Sequence, residues 1–277
     1  MRAEQSKMAD KQYVAGNRPK WELAYIFRTY GNAYLALHPT PSIDKQVMQD
    51  IMLCRTAYLG GHIQQCDTCG AQQIAYNSCR NRHCPKCQAL AKAKWLEARK
   101  AELLPVTYFH GVFTVPHEIN AVALCNKALI FNMLFKAASE TLLAFGKNPQ
   151  NRLGGQLGFT AILHTWDQLL KSHLHLHCII PAGALSSDGT QWVPVKGDYL
   201  FCTLAISKVF RSKFMALFKK AFEKGKLKFC GKAKVYAAKG DFKRLSDTLC
   251  GKDWVVYARP PFGGPKQVLD YLGRYTH

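Results

Sequence analysis

The sequence predicts an α+β protein, in which a helical, cysteine-rich module precedes an antiparallel sheet with helices packed on it. Two apolar stretches of helical period open the chain. Six of the eleven cysteines then fall between residues 54 and 87, and strand and helix patterns alternate after that cluster. We place the domain boundary after residue 104, which gives an N-terminal domain of residues 1–104 and a second domain of residues 105–277.

The elements follow in chain order. Helices are expected over residues 20–37, 43–53, 86–104, about 119–145 and 204–224, with a short final helix after Gly264. Strands are expected over residues 107–116, 158–166, 173–181, 234–238 and 254–260. The second and third of these strands are close enough in sequence to form an antiparallel hairpin. We expect residues 173–181 to be the central strand of the sheet.

The charge of the chain predicts a polyanionic partner. The sequence has 38 Lys and Arg against 18 Asp and Glu, which gives a formal net charge of +20. Charge of that sign and size attracts nucleic acid over long range. The first nineteen residues are polar, and we find neither a secretory signal nor an amphipathic basic helix with an open apolar face. We therefore expect a cytoplasmic protein that does not bind membranes. No sequence feature fixes an oligomeric state.

Two C-x-x-C pairs predict a structural zinc site. Cys66 pairs with Cys69, and Cys84 pairs with Cys87, with fourteen residues between the pairs. Four thiolates bind zinc tetrahedrally and leave no open coordination position for chemistry. The predicted role of this ion is therefore to hold the module together.

Four further ligand-type residues interleave with these pairs, and they allow two interpretations. Cys54, His62, Cys79 and His83 could hold a second zinc in a cross-brace, so that the chain binds one zinc ion or two. In the other interpretation Cys54 is buried, while Cys79 and His83 cap the turns that carry the C-x-x-C pairs or pack against them. The remaining cysteines are expected to be reduced and to pack as small apolar side chains: Cys125, Cys178, Cys202, Cys230 and Cys250.

Basic residues crowd around these ligands. Arg80, Arg82 and Lys86 lie inside the second half of the cysteine cluster, and Arg55, Lys92 and Lys94 flank it. Guanidinium and ammonium groups contact phosphates, so this module is also predicted to bind DNA. A solvated basic surface without a partner would show the same composition.

Residues 171–180, KSHLHLHCII, carry the most specific pattern in the chain. In a strand, successive side chains point to opposite faces, so His173, His175 and His177 project together while Leu174 and Leu176 enter a core. Imidazoles two residues apart on a strand can chelate one divalent ion. A single histidine here would more often be an ordinary polar residue, but three in register favour a metal site.

The last predicted helix carries two tyrosines on one face. Tyr271 and Tyr275 are four residues apart, with Arg274 between them and Lys266 one turn before Tyr271. An ion on the histidines could polarise a phosphodiester while a tyrosine hydroxyl attacks it, and Lys266 and Arg274 could hold phosphates. Taken alone, such a tyrosine pair is more often a packing feature.

These motifs together resemble a known family. The ordered set CDTCG…YNSCRNRHCPKC, LHTWDQ, HLHLHCIIPAG and YLGRYTH is similar to that of the two-tyrosine rolling-circle transposases of bacterial insertion sequences. Those proteins belong to the HUH nuclease superfamily and carry an N-terminal zinc domain. The resemblance runs from about residue 20 to the end of the chain and depends on the motifs in combination.

The resemblance implies a function and assigns residues to it. It implies an HUH-type sheet and an enzyme that nicks single-stranded DNA at the element's end, forms a 5′-phosphotyrosine and transfers the strand to target DNA. Its metal ligands are His175 and His177, its nucleophiles are Tyr271 and Tyr275, and Mg²⁺ or Mn²⁺ is the catalytic ion. The third ligand stays open among Gln168, His164 and His173, in that order. Such a protein would be cytoplasmic and associated with the nucleoid.

One departure from the family concerns the C-terminus. The chain stops two residues after Tyr275, whereas the family's sequences continue into further strands. We expect a C-terminally truncated catalytic domain with an open sheet edge and weak transposition by this chain alone.

Three competing functions fit less of the sequence. An amidohydrolase would also use His-x-His on a strand, but it needs further histidines at later strand ends, and after His177 the chain has only His277. A replication initiator or relaxase is disfavoured by a zinc module ahead of the sheet. The main alternative is a non-catalytic zinc protein that binds nucleic acid, with structural histidines and tyrosines.

Overall fold

The chain forms two compact units, which divide between Ala93 and Lys94. The computed structural model describes residues 21–260 and 264–273. The division falls inside a long helix, α3 (Pro85–Ala101), whereas we expected a boundary after residue 104. The second half of this helix belongs to the second unit. There Trp95 and Leu96 pack into a small apolar cluster that also contains Tyr108.

The first unit consists of a helix pair, a hairpin and the start of α3. Helices α1 (Leu23–Leu37) and α2 (Ser42–Leu53) confirm the two predicted N-terminal helices. Strands β1 (Gly61–Gln65) and β2 (Gln72–Tyr76) form an antiparallel hairpin that we did not predict. Its residues are exposed or half-buried, so the hairpin has no buried face to produce the alternating apolar pattern that reveals a strand.

The second unit is built on a four-stranded antiparallel sheet in the order β5-β6-β3-β9. These strands are β3 (Tyr108–Thr114), β5 (Thr160–Trp166), β6 (Ser172–Pro181) and β9 (Val256–Arg259). A smaller sheet contains β4 (Gly155–Gln156), β7 (Gly183–Ser186) and β8 (Trp192–Pro194). The histidine strand β6 is interior, and it pairs with β5 in a hairpin, as the sequence predicted. The α+β class is confirmed.

The two faces of the main sheet have different roles. On one face Leu174, Leu176, Cys178 and Ile180 of β6 enter the large apolar core. That face is covered by α4 (Asn120–Cys125), α5 (Lys127–Lys147) and α6 (Thr203–Glu223), with α7 (Lys239–Gly251) behind α6. The phenylalanines of α6 dominate this packing, and the Phe210 ring lies edge-on to Phe113 of β3 at 5.1 Å. The opposite face carries the histidines.

The histidine face is partly covered by the last helix, α8 (Gly264–Leu272). Leu269 and Leu272 of α8 are fully buried in a cluster with Tyr108, Ile162 and Ile179, which belong to β3, β5 and β6. These strand residues alternate with the core residues of the same strands and therefore lie on the histidine side. The helix that carries Tyr271 consequently docks on the same face as the histidines.

Two predicted elements were wrong. Residues 234–238 were expected to form a strand, but Gly231–Tyr236 is a 3₁₀ helix, which leads into the unpredicted helix α7. The predicted helix over residues 119–145 is broken at Asn126, whose side-chain amide donates to the carbonyls of Val122 and Lys228. The side-chain oxygen of Asn126 accepts the Lys228 N–H, so this residue ties two segments together instead of continuing a helix.

The expected state of two cysteines was also wrong. Cys125 and Cys230 form a disulfide across a sequence separation of 105 residues, instead of packing as reduced thiols. The bond links the end of α4 to the start of the 3₁₀ helix, next to the hydrogen bonds of Asn126. Single cysteines this far apart in sequence give no local signal that they pair.

Helix α5 is long and apolar enough, by length and composition, to cross a membrane. In this structure it is a core helix, because its Ile130, Leu134, Ala137 and Leu142 side chains are buried in the large apolar core. Core helices of globular proteins commonly pass the same test, so α5 is weak evidence for a membrane span.

We predict that the core face of β6 is indispensable for stability. Leu176→Ala should lower the free energy of unfolding by about 2–5 kcal/mol, because Leu176 is fully buried and the substitution leaves a cavity. Leu169→Ala is the matched control in the same hairpin, since Leu169 is 72% exposed. Urea unfolding of both variants measures the difference. Equal effects of the two substitutions would contradict this account of the core.

Candidate metal centres and active site

Four cysteines of the first unit converge on one point. The Sγ atoms of Cys54, Cys79, Cys84 and Cys87 all lie within 4.8 Å of one another. Cys87 Sγ is 3.5 Å from Cys54 Sγ and 3.6 Å from Cys79 Sγ. Four sulfurs bound tetrahedrally to zinc at about 2.3 Å lie about 3.8 Å apart, so this arrangement fits a four-cysteine zinc site.

The backbone around these cysteines brings them together. Cys54 ends α2, and Cys84 and Cys87 lie just before and within the first turn of α3, which begins at Pro85. Asn81 holds the intervening turn, because its side chain accepts the His83 N–H and donates to Asp50 of α2. The positive φ of Arg80 turns the chain directly after Cys79.

The thiols of this cluster differ in their readiness to ionise. Burial raises the pKa of Cys54 and of Cys79. Burial acts in the same direction on Cys87, but hydrogen bonds from the thiols of Cys54 and Cys79 outweigh it and lower the pKa of Cys87 to about 7. Zinc binds the thiolate form, so the lowered pKa of Cys87 favours metal binding at this cluster.

The structure does not bring Cys66 and Cys69 to Cys84 and Cys87. Both lie in the exposed turn of the β1–β2 hairpin, where the Cys66 N–H donates to the Ala71 carbonyl. A five-residue strand is about 17 Å long, and Cys79 follows the base of the hairpin, at the other end. The predicted ligand set is therefore corrected to Cys54, Cys79, Cys84 and Cys87.

The cross-brace is corrected by the same geometry. Cys54 and Cys79 do lie together, but they join Cys84 and Cys87 instead of His62 and His83. His62 is exposed on β1, and His83 is exposed in the turn before α3. In the turn of the β1–β2 hairpin, hydrogen bonds chiefly from the backbone of Cys69 and Thr68 lower the pKa of the exposed Cys66 thiol.

A basic groove lies beside the zinc cluster in the first unit. Its volume is about 870 Å³, and Arg55, Arg80 and Lys86 line it together with Tyr76. Arg55 and Arg80 are exposed, whereas Lys86 is half-buried and forms an ion pair of 2.6 Å with Glu22. Arg82 is exposed in the turn before α3. The predicted phosphate contacts thus lie on the surface that surrounds the zinc ligands.

Three histidines converge on the outer face of the main sheet. The side-chain nitrogens of His164, His175 and His177 lie within 4.8 Å of one another. The antiparallel register places His164 of β5 opposite His175 of β6. The ring of His164 is 4.3 Å from that of His177 and 5.2 Å from that of His175. Small side-chain rotations would let one divalent ion contact all three imidazoles.

Hydrogen bonds orient two of the three histidines of β6, His175 and His177. His175 Nδ1 donates to the main-chain carbonyl of His173 at 3.0 Å, which leaves Nε2 for a ligand. His177 Nδ1 lies 2.7 Å from Nε2 of His110, which is on the neighbouring strand β3. We did not single out His110 from the sequence. The available signal was its place in an expected strand, two residues after Tyr108.

Burial keeps this cluster neutral. It lowers the pKa of His177 to about 2, and the neighbouring His164, His110 and His175 rings lower it further in the same direction. Burial also lowers the pKa of His164 to about 4, with a contribution from His175, and it lowers the pKa of His175 and His110. Neutral imidazoles are the form that binds metal, so near neutral pH the ligands need not lose a proton.

The structure favours His164 over Gln168 as the third ligand. Gln168 is exposed in the turn between β5 and β6, whereas His164 is buried next to His177. A β-bulge between His164 and Trp166 shifts the register, and the last pair of the hairpin is Trp166 with Ser172, so Gln168 lies beyond the paired residues. His173 stays near the cluster, with its ring 4.8 Å from that of His175.

The predicted nucleophiles are only partly within the described residues. Tyr271 is 43% exposed on α8, whose Leu269 and Leu272 pack on the histidine face. Lys266 is exposed on the same helix. Tyr275 and Arg274 lie outside the described residues.

Comparison with known sequences identifies the family. Residues 26–115 match the family of transposase zinc-binding domains, and residues 158–277 match the family described as "Putative transposase". By these two matches the chain belongs with the transposases that carry an N-terminal zinc-binding domain.

Two curated relatives are similar over most of this chain. It is 51% identical over 257 residues to "Putative transposase y4qJ" of Sinorhizobium fredii. The matched region covers 92% of this chain and 64% of that protein. It is 25% identical to the transposase of insertion sequence element IS801 of Pseudomonas savastanoi, over 84% of this chain and 55% of that protein. The chain thus spans less than two thirds of the length of these relatives.

Solved structures of the conjugative relaxase TrwC with oriT DNA are also similar. A metal-bound form has a TM-score of 0.34 at 16% identity, over 60% of this chain and 69% of that chain. A copper-bound form has a TM-score of 0.35 at 13% identity, over 91% and 88% of the two chains.

We predict that zinc retention separates the two sets of cysteines. Cys79→Ser should release the bound zinc, because it removes one of four converging thiolates. The double variant Cys66→Ser/Cys69→Ser should retain the zinc held by the four-cysteine cluster. Atomic spectroscopy on the purified variants measures zinc per chain. Full zinc content in Cys79→Ser would contradict the corrected ligand set, and a lower content in the double variant would indicate a second zinc.

We also predict that acid destabilises the metal-free fold through the histidine cluster. Histidines in the unfolded chain bind a proton near pH 6.5, but folded His164 resists protonation until its pKa of about 4. The unfolded state therefore binds more protons, and the free energy of unfolding should fall as pH drops from about 6.5 to about 4.

The matched variants for this measurement are His164→Gln and His38→Gln. The first should make the fall in stability less steep, because it removes a buried group that protonates only on unfolding. The second should not, because His38 is exposed at the end of α1. Urea unfolding between about pH 7 and about pH 4.5 gives the slopes. An unchanged slope in His164→Gln would contradict the prediction.

Proposed function

We propose that this chain nicks single-stranded DNA and transfers the strand, through a 5′-phosphotyrosine intermediate, during rolling-circle transposition of a bacterial insertion sequence. The observation that carries the proposal is the meeting of two elements on one sheet face. The three histidines project from β5 and β6, and the helix that carries Tyr271 packs on the same side. The DNA substrates would be the end of the element and its target, and the protein would act in the cytoplasm, at the nucleoid.

In this proposal His175, His177 and His164 hold the catalytic divalent ion. Such an ion would act as a Lewis acid that stabilises the charge that builds on the phosphate oxygens. Three imidazoles are softer donors than the oxygen ligands that Mg²⁺ prefers, which supports Mn²⁺ as the better of the two expected ions. The role of the protein residues is to present three neutral nitrogens in a fixed arrangement.

The nucleophile is the phenol of Tyr271 or Tyr275. The phenolic oxygen forms a bond to phosphorus, the bond from phosphorus to the 3′-oxygen breaks, and the phenol proton ends on the leaving 3′-hydroxyl. The phosphodiester energy is conserved in the tyrosine ester, so a second 3′-hydroxyl can later attack the phosphorus and restore the DNA backbone without an external energy source. Tyr271 is 43% exposed, and a nucleophile that must meet a DNA strand requires such exposure.

The basic surfaces would position the DNA strand. In the first unit, Arg80 and Lys86 line the groove, and Arg82 is exposed in the turn before α3. In the second unit, Lys266 is exposed on α8, the helix that carries Tyr271, and Arg274 would act with it. Such contacts to phosphates add affinity without sequence specificity, and the affinity weakens as salt releases the condensed counterions.

We predict a covalent adduct between this chain and single-stranded DNA from the terminus of the element in the presence of Mn²⁺. The adduct should disappear in the double variant Tyr271→Phe/Tyr275→Phe. It should form about 10²-fold more slowly, or not at all, in His175→Ala, which loses one metal ligand. Denaturing electrophoresis and mass spectrometry detect and map the tyrosyl ester.

Tyr199→Phe is the control for loss of a phenol, because Tyr199 is exposed and lies away from the histidine face. It should form the adduct normally. An adduct that persists in the double tyrosine variant would refute the assignment of the nucleophiles. A different outcome is that the chain binds DNA without forming an adduct and that His175→Ala does not change this binding. That outcome would favour the alternative function, a non-catalytic zinc protein that binds nucleic acid.

A further inference from the structure

A fourth histidine supports the metal cluster from the neighbouring strand. His110 lies on β3, and its Nε2 is 2.7 Å from His177 Nδ1. The two rings are nearly coplanar and meet edge to edge, with their centroids 5.0 Å apart and an angle of 14° between their planes. His110 is not in the group of three whose nitrogens converge, so its position suits a partner of a ligand instead of a ligand.

We propose that His110 is a positioning residue, whose Nε2 accepts a hydrogen bond from His177 Nδ1 and so holds His177 in the tautomer and orientation that bind metal. This inference rests on the proposed metal site. A neutral histidine that binds metal through Nε2 carries its proton on Nδ1, and that proton needs an acceptor when the ring is buried. His110 Nε2 is placed to be that acceptor, with its own proton on Nδ1.

The two predicted metal ligands of β6, His175 and His177, need different acceptors because of their surroundings. The Nδ1 of His175 donates to a main-chain carbonyl of its own strand, two residues earlier. The Nδ1 of His177 instead points across the ladder to β3, where Val112 is its direct partner and His110 lies two residues further along the same face. The acceptor for His177 Nδ1 is therefore a side chain, whereas the acceptor for His175 Nδ1 is a main-chain carbonyl.

The ring of His110 is itself held in place. Tyr257 of β9 lies against its other side, with the rings 6.3 Å apart and nearly perpendicular. β9 pairs with β3 in register, so that Arg259 faces His110 across the ladder. His110 is thus packed between β6 and β9, which limits the rotation of its ring and fixes Nε2 toward His177.

Two substitutions separate the hydrogen bond from the packing of a ring beside His177. His110→Phe keeps a planar ring against His177 but offers no acceptor. His110→Gln loses the ring but can accept a hydrogen bond through its side-chain oxygen. His117→Phe is the control for loss of a histidine, because the His117 side chain is 79% exposed.

The first measurement is Mn²⁺ affinity by titration calorimetry, with His175→Ala to identify the site. His110→Phe should weaken binding by about 10- to 100-fold, and His110→Gln should restore most of the affinity. Equal affinity of His110→Phe and the wild-type chain would overturn the inference. So would equal weakening in His110→Phe and His110→Gln. If His110→Phe melts at a lower temperature, the smaller pair His110→Leu and His110→Asn repeats the comparison.

The second measurement needs no metal. Nitrogen-15 NMR of the metal-free chain reports which ring nitrogen of His177 is protonated. We expect the proton on Nδ1 in the wild-type chain, and a mixture of tautomers in His110→Phe. A proton on Nε2 in the wild-type chain would overturn the inference. Failure of the wild-type chain to bind Mn²⁺ through His175 would instead overturn the proposed metal site, so the two failures are distinguishable.

Discussion

The alternation of side chains along β6 is the constraint on which the second unit depends. Leu174, Leu176, Cys178 and Ile180 are buried in the core, so the residues between them must face the other side of the sheet. The strand is interior, and hydrogen bonds to β5 and β3 fix its register on both edges. A shift by one residue would exchange the two faces and bury the imidazoles in the core, which the apolar residues prevent.

The same arrangement explains why the histidines are suited to metal. A sheet holds neighbouring side chains at short, fixed separations, and the partial cover of α8 and the strand residues removes water from the rings. Burial disfavours the charged form of an imidazole, and it lowers the pKa of His164 and of His177. The same burial reduces the stability of the metal-free fold only as the pH falls below about 6.5, so at neutral pH the site offers uncharged nitrogens.

In the zinc module, the reversals of the chain decide which cysteines meet, and the spacing of the cysteines along the sequence matters less. Cys54 and Cys79 are far apart in sequence, but the β1–β2 hairpin returns the chain to its starting point, and so the residue before the hairpin meets the residue after it. The C-x-x-C template correctly identified Cys84 and Cys87 as neighbours. The template also grouped these two with Cys66 and Cys69, because the exposed, glutamine-rich strands have no apolar pattern from which the hairpin could be predicted.

The sequence by itself determined the α+β class, the interior position of β6 and the facing of His175 and His177, because these follow from the local periodicity of apolar residues. It also indicated the hairpin that brings β5 beside β6. Only the tertiary structure decided which cysteines meet, that His164 joins the cluster in preference to Gln168, and that His110 contacts His177. Those contacts depend on the register between strands and on the return of the chain through hairpins, and separation along the sequence does not encode either one.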